Sequence, residues 1–327
     1  MSRLRIGTRG SALALAQTQL VSDLLGGCDI VTVTTTGDRD ASGGDKSRWV
    51  DTIEDALLAG TIDLAVHSAK DLPGELLDEL TLLGAPPRAA VEDVLCFAAD
   101  LAADGGKDDD TDRGGAGGNS GGGSTGLEGL PEGARIGTSS IRRAAQLRAA
   151  RADLEVIAMG GNVDTRLRTL AQGELDAIVL ARAGLQRLDR EEEIGAVLDP
   201  ARFVSAPGQG ALALEARAAD ARVHEAVATI LDADSSACLQ AERALASALD
   251  ASCHTPLGAY AAPAGCGCLG LRAWVGLPDG SAWLADELLG GFYDPTALGA
   301  RVAERMTAAG ARELLEQAQE MAAVAGA

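Results

Sequence analysis

Leu64-Ala65-Val66-His67-Ser68-Ala69-Lys70-Asp71-Leu72-Pro73-Gly74 is the stretch on which the reading of this chain turns. Its first three residues are apolar. Following the helical spacing of Val50, Ile53 and Leu57 and a stop at Gly60, they read as a buried strand of a parallel sheet. His67, Ser68, Lys70 and Asp71 come next, and Pro73-Gly74 forces a turn. In an open α/β sheet, ligands sit in the crevice beyond the carboxyl ends of the strands. Composition sharpens the point. Of 28 basic residues only Lys46, Lys70 and Lys107 are lysines, and the histidines are His67, His224 and His254. A rare lysine and a rare histidine therefore stand almost side by side, next to a carboxylate. Taken alone, the stretch reads equally well as a polar loop with a surface ion pair.

Working outward, Leu4-Arg5-Ile6-Gly7-Thr8 reads as the first strand, with a turn at Arg9-Gly10-Ser11. Ser11 can cap a helix running to about Leu25. Ile30 to Thr34 is a second strand, and a Gly- and Asp-rich loop then ends at Lys46. Alternating strands and helices of this length predict a mostly parallel, doubly wound sheet. Residues 103–126 are almost wholly Gly, Asp, Ser, Thr and Asn, have nothing to bury, and read as a disordered loop insertion. Order resumes at Arg135-Ile136-Gly137-Thr138, a repeat of Arg5-Ile6-Gly7-Thr8 at the same structural point, which suggests two similar lobes facing one cleft. Strands at 155–158 and 177–180 flank a helix from Val163 to Ala171. From about Ala221 the pattern changes to helical runs (221–232, 235–249), a β stretch (257–289) and a final helical run (295–325), read as a third domain.

The bulk properties exclude several classes. A net charge of −20 argues against nucleic-acid binding, which needs basic surface to displace counterions. No apolar stretch is long enough to span a membrane. The N-terminal residues show no signal-peptide pattern, so a cytoplasmic protein is expected. The core must be aliphatic, because 46% of residues are hydrophobic and only 2% aromatic. Cys28, Cys96, Cys238, Cys253, Cys266 and Cys268 are scattered without zinc spacing and read mostly as reduced packing residues.

Several constellations carry chemistry. Thr138-Ser139-Ser140 before a helix offers hydroxyls and free N–H groups at its positive end. Arg142 and Arg143 in that helix's first turn oppose its dipole, which suggests an anionic ligand that compensates them. Arg9 occupies the matching turn of the first lobe, Arg166 follows Gly160-Gly161-Asn162, and Arg187 follows Ala183-Gly184-Leu185. Guanidinium groups gathered at strand ends suit a ligand with several carboxylates. Ala206-Pro207-Gly208-Gln209-Gly210 leads into an apolar strand, Ala211 to Leu214, and reads as a hinge returning the chain to the first lobe. It lacks the Gly-Lys-Ser/Thr ending of a nucleotide loop. Cys253 lies beside His254 and Thr255 in a loop closed by Pro256 and Gly258. That setting can activate a thiol, but spacing alone favours a structural cysteine.

Together these motifs resemble the porphobilinogen deaminase family over nearly the whole chain. The resemblance rests on Ile6-Gly7-Thr8-Arg9-Gly10-Ser11 with Leu13 to Gln17, Val66 to Pro73, Gly137 to Arg143, and Gly161-Asn162-Val163-Asp164-Thr165-Arg166-Leu167. It continues through Ala183 to Leu188, Pro207 to Ala211, Glu242-Arg243-Ala244-Leu245 and Cys253 to Gly258. It implies an α/β fold of three domains: two doubly wound, solute-binding-protein-like lobes around a cleft and a small α+β C-terminal domain. The expected divisions are 1–96 with the return segment 201–218, then 97–200, then 219–327. It also implies a transferase of tetrapyrrole (porphyrin and heme) biosynthesis. Four porphobilinogen molecules would be condensed head to tail onto a dipyrromethane cofactor, releasing ammonia and finally hydroxymethylbilane. The cofactor would be thioether-linked to Cys253, and the protein would be a monomer.

By the same resemblance the catalytic aspartate falls on Asp71. Cofactor and substrate contacts fall on Arg9, Ser11, Gln17, Lys46, Ser68, Lys70, Thr138, Ser140, Arg142, Arg143, Arg166 and Arg187. The physical chemistry agrees. Each porphobilinogen carries an acetate and a propionate, so a growing chain needs basic partners. Loss of ammonia leaves a cationic azafulvene that a carboxylate such as Asp71 can stabilise while moving pyrrole protons. A covalent anchor keeps every new unit beside its partner. The chain departs from the family pattern at the 103–126 insertion, at Asp51, where a lysine is common, and at Gly160, where an arginine precedes the Gly-Asn-Val run. The rival classes are a solute-binding protein, which needs neither Cys253 nor Asp71, and a LysR-like effector domain, which needs a preceding helix-turn-helix.

Overall fold

The computed structural model describes residues 3–33, 47–74, 76–104, 126–252, 255–265 and 267–325. Lys46, Cys253, His254 and most of the 103–126 insertion lie outside the described residues.

The first sheet grows from β1 (Arg5–Thr8), β2 (Asp29–Thr32), β3 (Leu64–Ser68), β4 (Leu80–Gly84) and a late strand, β10 (Leu212–Arg217). The second contains β5 (Asp93–Phe97), which the short helix α3 (Ala99–Asp104) follows, β6 (Arg135–Thr138), β7 (Glu155–Ala158), β8 (Ala177–Ala181) and β9 (Ala196–Val197). Their orders are β2-β1-β3-β10-β4 and β7-β6-β8-β5-β9, one pattern used twice. β1 runs parallel to β2 and β3, and β6 runs parallel to β7 and β8. β10 and β5 each run antiparallel to both neighbours. The sheets are thus mostly parallel, as expected, with one reversed inner strand apiece, because that strand arrives by crossing from the other lobe.

The four-residue repeat marks a longer one. The Arg5 amide donates to Asp63 Oδ2 at 2.9 Å, and the Arg135 amide donates to Asp176 Oδ2 at 2.6 Å. Gly7 and Gly137 are required for the same reason. A Cβ at Gly7 would strike Ile62, and one at Gly137 would strike Met159 and Leu175, at 2.6 and 2.7 Å. Ile62 and Leu175 each directly precede the paired aspartate, so both lobes close the same strand junction with the same apolar plug.

Three expected boundaries move. Asp93–Phe97 does not close the first lobe at residue 96. It pairs with β8 and β9, and Val94, Leu95 and Cys96 are buried in the second lobe. Phe203 and Val204, expected in the return segment, also stay with the second lobe, where Phe203 joins Leu95, Ile136 and Val179 in one core. The helix Ala221–Ala228 (α7 in chain order) belongs to the first lobe, because Val223 and Val227 pack among Leu64, Val66, Leu212 and Leu214. The third unit therefore starts at α8 (Ala233–Ala248), capped by Asp232. Its meander β11 (Leu257–Pro263), β12 (Cys268–Gly276) and β13 (Trp283–Gly291) packs with α8, α9 (Pro295–Ala308) and α10 (Ala311–Ala325) around an aliphatic core of residues such as Leu245, Leu271 and Val302.

Candidate active site

The site forms where the chain crosses between the lobes. After β3 the backbone makes a single 3₁₀ turn, Ala69–Asp71, which presents Lys70 and Asp71. Gly208 lies against this turn with φ +74°, and a Cβ there would stand 2.9 Å from Ala69 and 3.1 Å from the Lys70 amide nitrogen. Gly210, at φ +83°, presses equally on the Ala89 and Ala90 carbonyls. Only glycine takes these backbone angles cheaply and leaves room for the second crossing to lie on both the first crossing and the turn. Gln209 between them ties the junction together. Its amide donates to Asp93 Oδ1 at 2.8 Å and to the Val91 carbonyl at 2.7 Å, while its oxygen accepts from Lys70 Nζ at 3.5 Å.

Helix N-termini surround this junction. Ser11 caps α1 (Ala12–Leu24) by accepting from the Ala14 amide, and Ser140 caps α4 (Ile141–Ala150) by accepting from the Arg143 amide. Thr138 is buried and accepts from the Ser140 amide at 3.2 Å. Asn162 caps α5 (Val163–Leu170), which carries Arg166. Arg166 donates through Nη2 to Ser139 Oγ at 2.7 Å and through Nε to the Gly161 carbonyl at 2.9 Å. Arg187 follows the short helix α6 (Arg182–Gln186) and donates to the Gly210 carbonyl at 2.7 Å. Arg9 and Ser68 are half-buried at the ends of β1 and β3, and Gln17 is buried on α1.

Arg142 and Arg143 differ from expectation. Their compensating anion is internal: Arg142 Nη2 donates to Asp93 Oδ2 at 2.8 Å, and Arg143 donates through Nη2 and Nε to Oδ1 at 2.7 and 3.0 Å. The remaining contacts run to the Val204 and Val179 carbonyls. Both side chains are buried, so they build the second lobe's floor rather than reaching outward. Burial alone would raise the Asp93 pKa, but Arg142, Arg143 and the Gln209 amide hold it well below the usual carboxylate range.

Arg166 and Arg187 are the contrast. Neither forms an ion pair with a carboxylate among the described residues. Burial, then the charge of Arg143, pulls Arg166 down to about 10 against the favourable field of Asp71. Burial alone pulls Arg187 down to about 10, and its Nε is buried without a hydrogen-bond partner. A desolvated guanidinium without a carboxylate is stabilised by an incoming one, so both suit an anionic ligand. The Asp71 charge acts on Arg166, so the two lobes bring these groups within electrostatic reach of each other.

Two functional features escaped the sequence. Asp93 looked like an ordinary residue heading an apolar strand. Arg88 donates bidentately to Glu242 Oε1 and Oε2 at 2.7 and 3.0 Å, and Glu242 Oε2 also accepts from the Gly208 amide at 2.6 Å. The third unit thereby grips both crossings at once. Glu242 and Gln209 stood inside quoted motifs, but nothing in the sequence paired them with Arg88 or Asp93.

The architecture is that of a two-lobed α/β protein whose lobe junction gathers Arg142, Arg143, Arg166 and Arg187, braced by a third domain. Residues 4–225 match the porphobilinogen deaminase dipyrromethane cofactor binding domain, and residues 236–308 match the porphobilinogen deaminase C-terminal domain. The chain is 41% identical to the porphobilinogen deaminase of Deinococcus radiodurans, over 98% of this chain and all of that one. It is 41% identical to that of Roseiflexus castenholzii, over 95% of this chain and 98% of that one. Among solved structures, the VFT2 domain of Bordetella pertussis BvgS aligns over 69% of this chain and 85% of its own, with 14% identity and a TM-score of 0.37. The chain belongs to the porphobilinogen deaminase family, transferases that work with a dipyrromethane cofactor.

Proposed function

We propose that this chain condenses porphobilinogen units into hydroxymethylbilane, with Asp71 as the catalytic carboxylate and Arg166 and Arg187 as carboxylate-binding residues of the cleft. The observation that carries the reading is a pair of half-buried guanidinium groups, Arg166 and Arg187, with no carboxylate ion-pair partner among the described residues, beside the turn that bears Asp71. They fit a cofactor and substrate rich in acetate and propionate groups. The bound dipyrromethane supplies the pyrrole terminus to which each new unit is joined. The chain's own residues do the rest. Arg166 and Arg187, with Arg9, Lys46 and Lys70, hold side-chain carboxylates, Ser11, Ser68, Thr138 and Ser140 line the surrounding turns, and Gln17 contributes from α1. Arg142 and Arg143 shape the floor through Asp93. Asp71 faces the positive charge that develops as ammonia leaves and takes up the pyrrole proton.

The cofactor anchor on this reading is Cys253. Intact mass of the purified protein should exceed the sequence mass by two linked pyrroles, and Cys253→Ser should abolish the increment. An adduct on Cys28, Cys96 or Cys238 would reject the assignment. The compartment on this reading is the cytoplasm and the active form is a monomer. In support, Cys28, Cys96, Cys238 and Cys268 are all free thiols. Among the described residues no helix is long and apolar enough to cross a membrane.

Gly160 bears on cofactor loading. A Cβ at this position meets nothing within 4 Å, so the family arginine would enter without steric cost. Arg182, one candidate to replace it, is engaged with Glu92 and Glu191 at 3.6 and 3.9 Å. Gly160→Arg is therefore expected to raise the holo fraction and the ammonia-release rate, since a charge-assisted contact contributes about 1.5–3 kcal/mol. An unchanged holo fraction by mass spectrometry would show that the contact is already supplied.

A further inference from the structure

Beneath the Asp71 turn lies a buried acid–base cluster that the reaction as described does not use. In the pairing of β3 with β10, His67 stands opposite Ala213 and Glu215 opposite Ala65, so both side chains point to one face of the first sheet. His67 Nε2 lies 3.0 Å from Glu215 Oε2. His67 is 8% exposed and Glu215 0%, and Glu215 Oε1 has no hydrogen-bond partner. The helix α2 (Ser47–Leu58) covers this face, packing Ile53 and Leu57 on Ala65, and brings down a third ionisable group, Glu54, only 7% exposed. From the other side Arg243, on α8, interacts with the charge of Glu215 while donating to the Pro73 and Gly74 carbonyls at 2.8 and 2.9 Å. One buried carboxylate thus holds the residue that enters the Ser68–Gly74 turn and acts on the arginine that clasps its exit.

We propose that Glu54 and the His67–Glu215 pair act as one cluster beneath the turn, with the exchangeable proton on Glu54, and that Glu215 is the positioning residue that fixes the turn and so aims Asp71. When Glu54 is neutral, Glu215 alone holds the His67 imidazole, at 3.0 Å. When Glu54 ionises, a second carboxylate competes for the same imidazole, with no cation added to offset it. The groups acting on Glu54 are Glu215 from β10, His67 from β3, and Asp51 and Asp55 from its own helix; of these only His67 favours its ionised form. Burial first, then Glu215 and Asp51, push the Glu54 carboxyl up to about 7. The sign follows from proton uptake. Below the ordinary glutamate range Glu54 is protonated in both folded and unfolded chains and contributes no pH dependence. As pH rises the unfolded chain releases this proton first, so folding is progressively disfavoured until pH passes about 7.

This inference rests on the reading of Asp71 as the catalytic carboxylate, and its test separates the two. In holoprotein, kcat and KM for porphobilinogen are measured against pH for the parent and for Glu54→Gln, which imitates the protonated side chain. Thermal midpoints and histidine ring NMR titrations are recorded in parallel. Three histidines make the ring signals few, and His224→Asn and His254→Asn assign His67 by elimination. The parent is expected to lose kcat on the alkaline side while KM stays level, with a matching inflection in the His67 ring signals. Glu54→Gln should remove the inflection and hold kcat about threefold or more above the parent near about pH 8. Superimposable kcat profiles overturn the proposal even if the thermal midpoints differ, because the cluster would then be structural only. A parent His67 signal without the inflection overturns it as well, and that measurement needs no variant to fold. Were Asp71 not the catalytic group, Asp71→Asn would keep its turnover while the His67 and thermal responses to Glu54→Gln remained.

Discussion

Asp93→Ala is expected to remove most of the protein's stability, by about 3–5 kcal/mol or more, because it strands two buried cations at once. The carboxylate accepts from Arg142, Arg143 and Gln209, all at 3.0 Å or less, and none of these groups can turn to solvent without opening the second lobe. The loss falls where the two crossings meet, so binding should fail together with folding. Asp93→Asn keeps the size and part of the hydrogen bonding but not the charge, and should fall between the parent and the alanine variant. Urea denaturation followed by circular dichroism measures the difference. A midpoint for Asp93→Ala within a few tenths molar of the parent would mean that the guanidinium pair is satisfied some other way.

Asp71→Asn should do the opposite, leaving folding intact and turnover nearly abolished. Asp71 ends a half-exposed 3₁₀ turn, and an amide of equal size preserves its shape. What disappears is negative charge facing a developing cation, an effect of about 2–4 kcal/mol, or roughly 30- to 1000-fold in rate. Steady-state ammonia release measures the rate, and the thermal midpoint checks that the fold is unchanged. More than about a tenth of parental activity would remove Asp71 from the central role.

The sequence made the local elements legible because local chemistry forms them. Ser11, Ser140 and Asn162 cap the helices they precede, and the apolar run Leu64-Ala65-Val66 is the buried strand it reads as. The repeat was visible at four residues since Gly7 and Gly137 answer to one packing constraint. The crossings were not visible. Asp93–Phe97 and Leu212–Arg217 are apolar strands like their neighbours, and which sheet accepts each is decided by partners far away in the chain. Long-range ion pairs were hidden for the same reason. The sequence presents Arg142 and Arg143 as cations needing an anion, but Asp93, 49 and 50 residues away, carries no mark of that role. Burial separates arginines that serve the fold from arginines that serve the ligand, and spacing does not encode it.

The reversed strand of the first sheet also sets an order of assembly. All five strands of the second sheet come from one uninterrupted stretch, Asp93 to Val197, so that sheet can close as soon as it has been synthesised. The first cannot. β10 lies between β3 and β4, so the strand bearing His67 and Ser68 waits for residues up to Arg217 before its free edge is paired. On the ribosome the half of the cleft made first is therefore finished last, and the Asp71 turn acquires its seat on Gly208 only after the arginine-bearing lobe already exists.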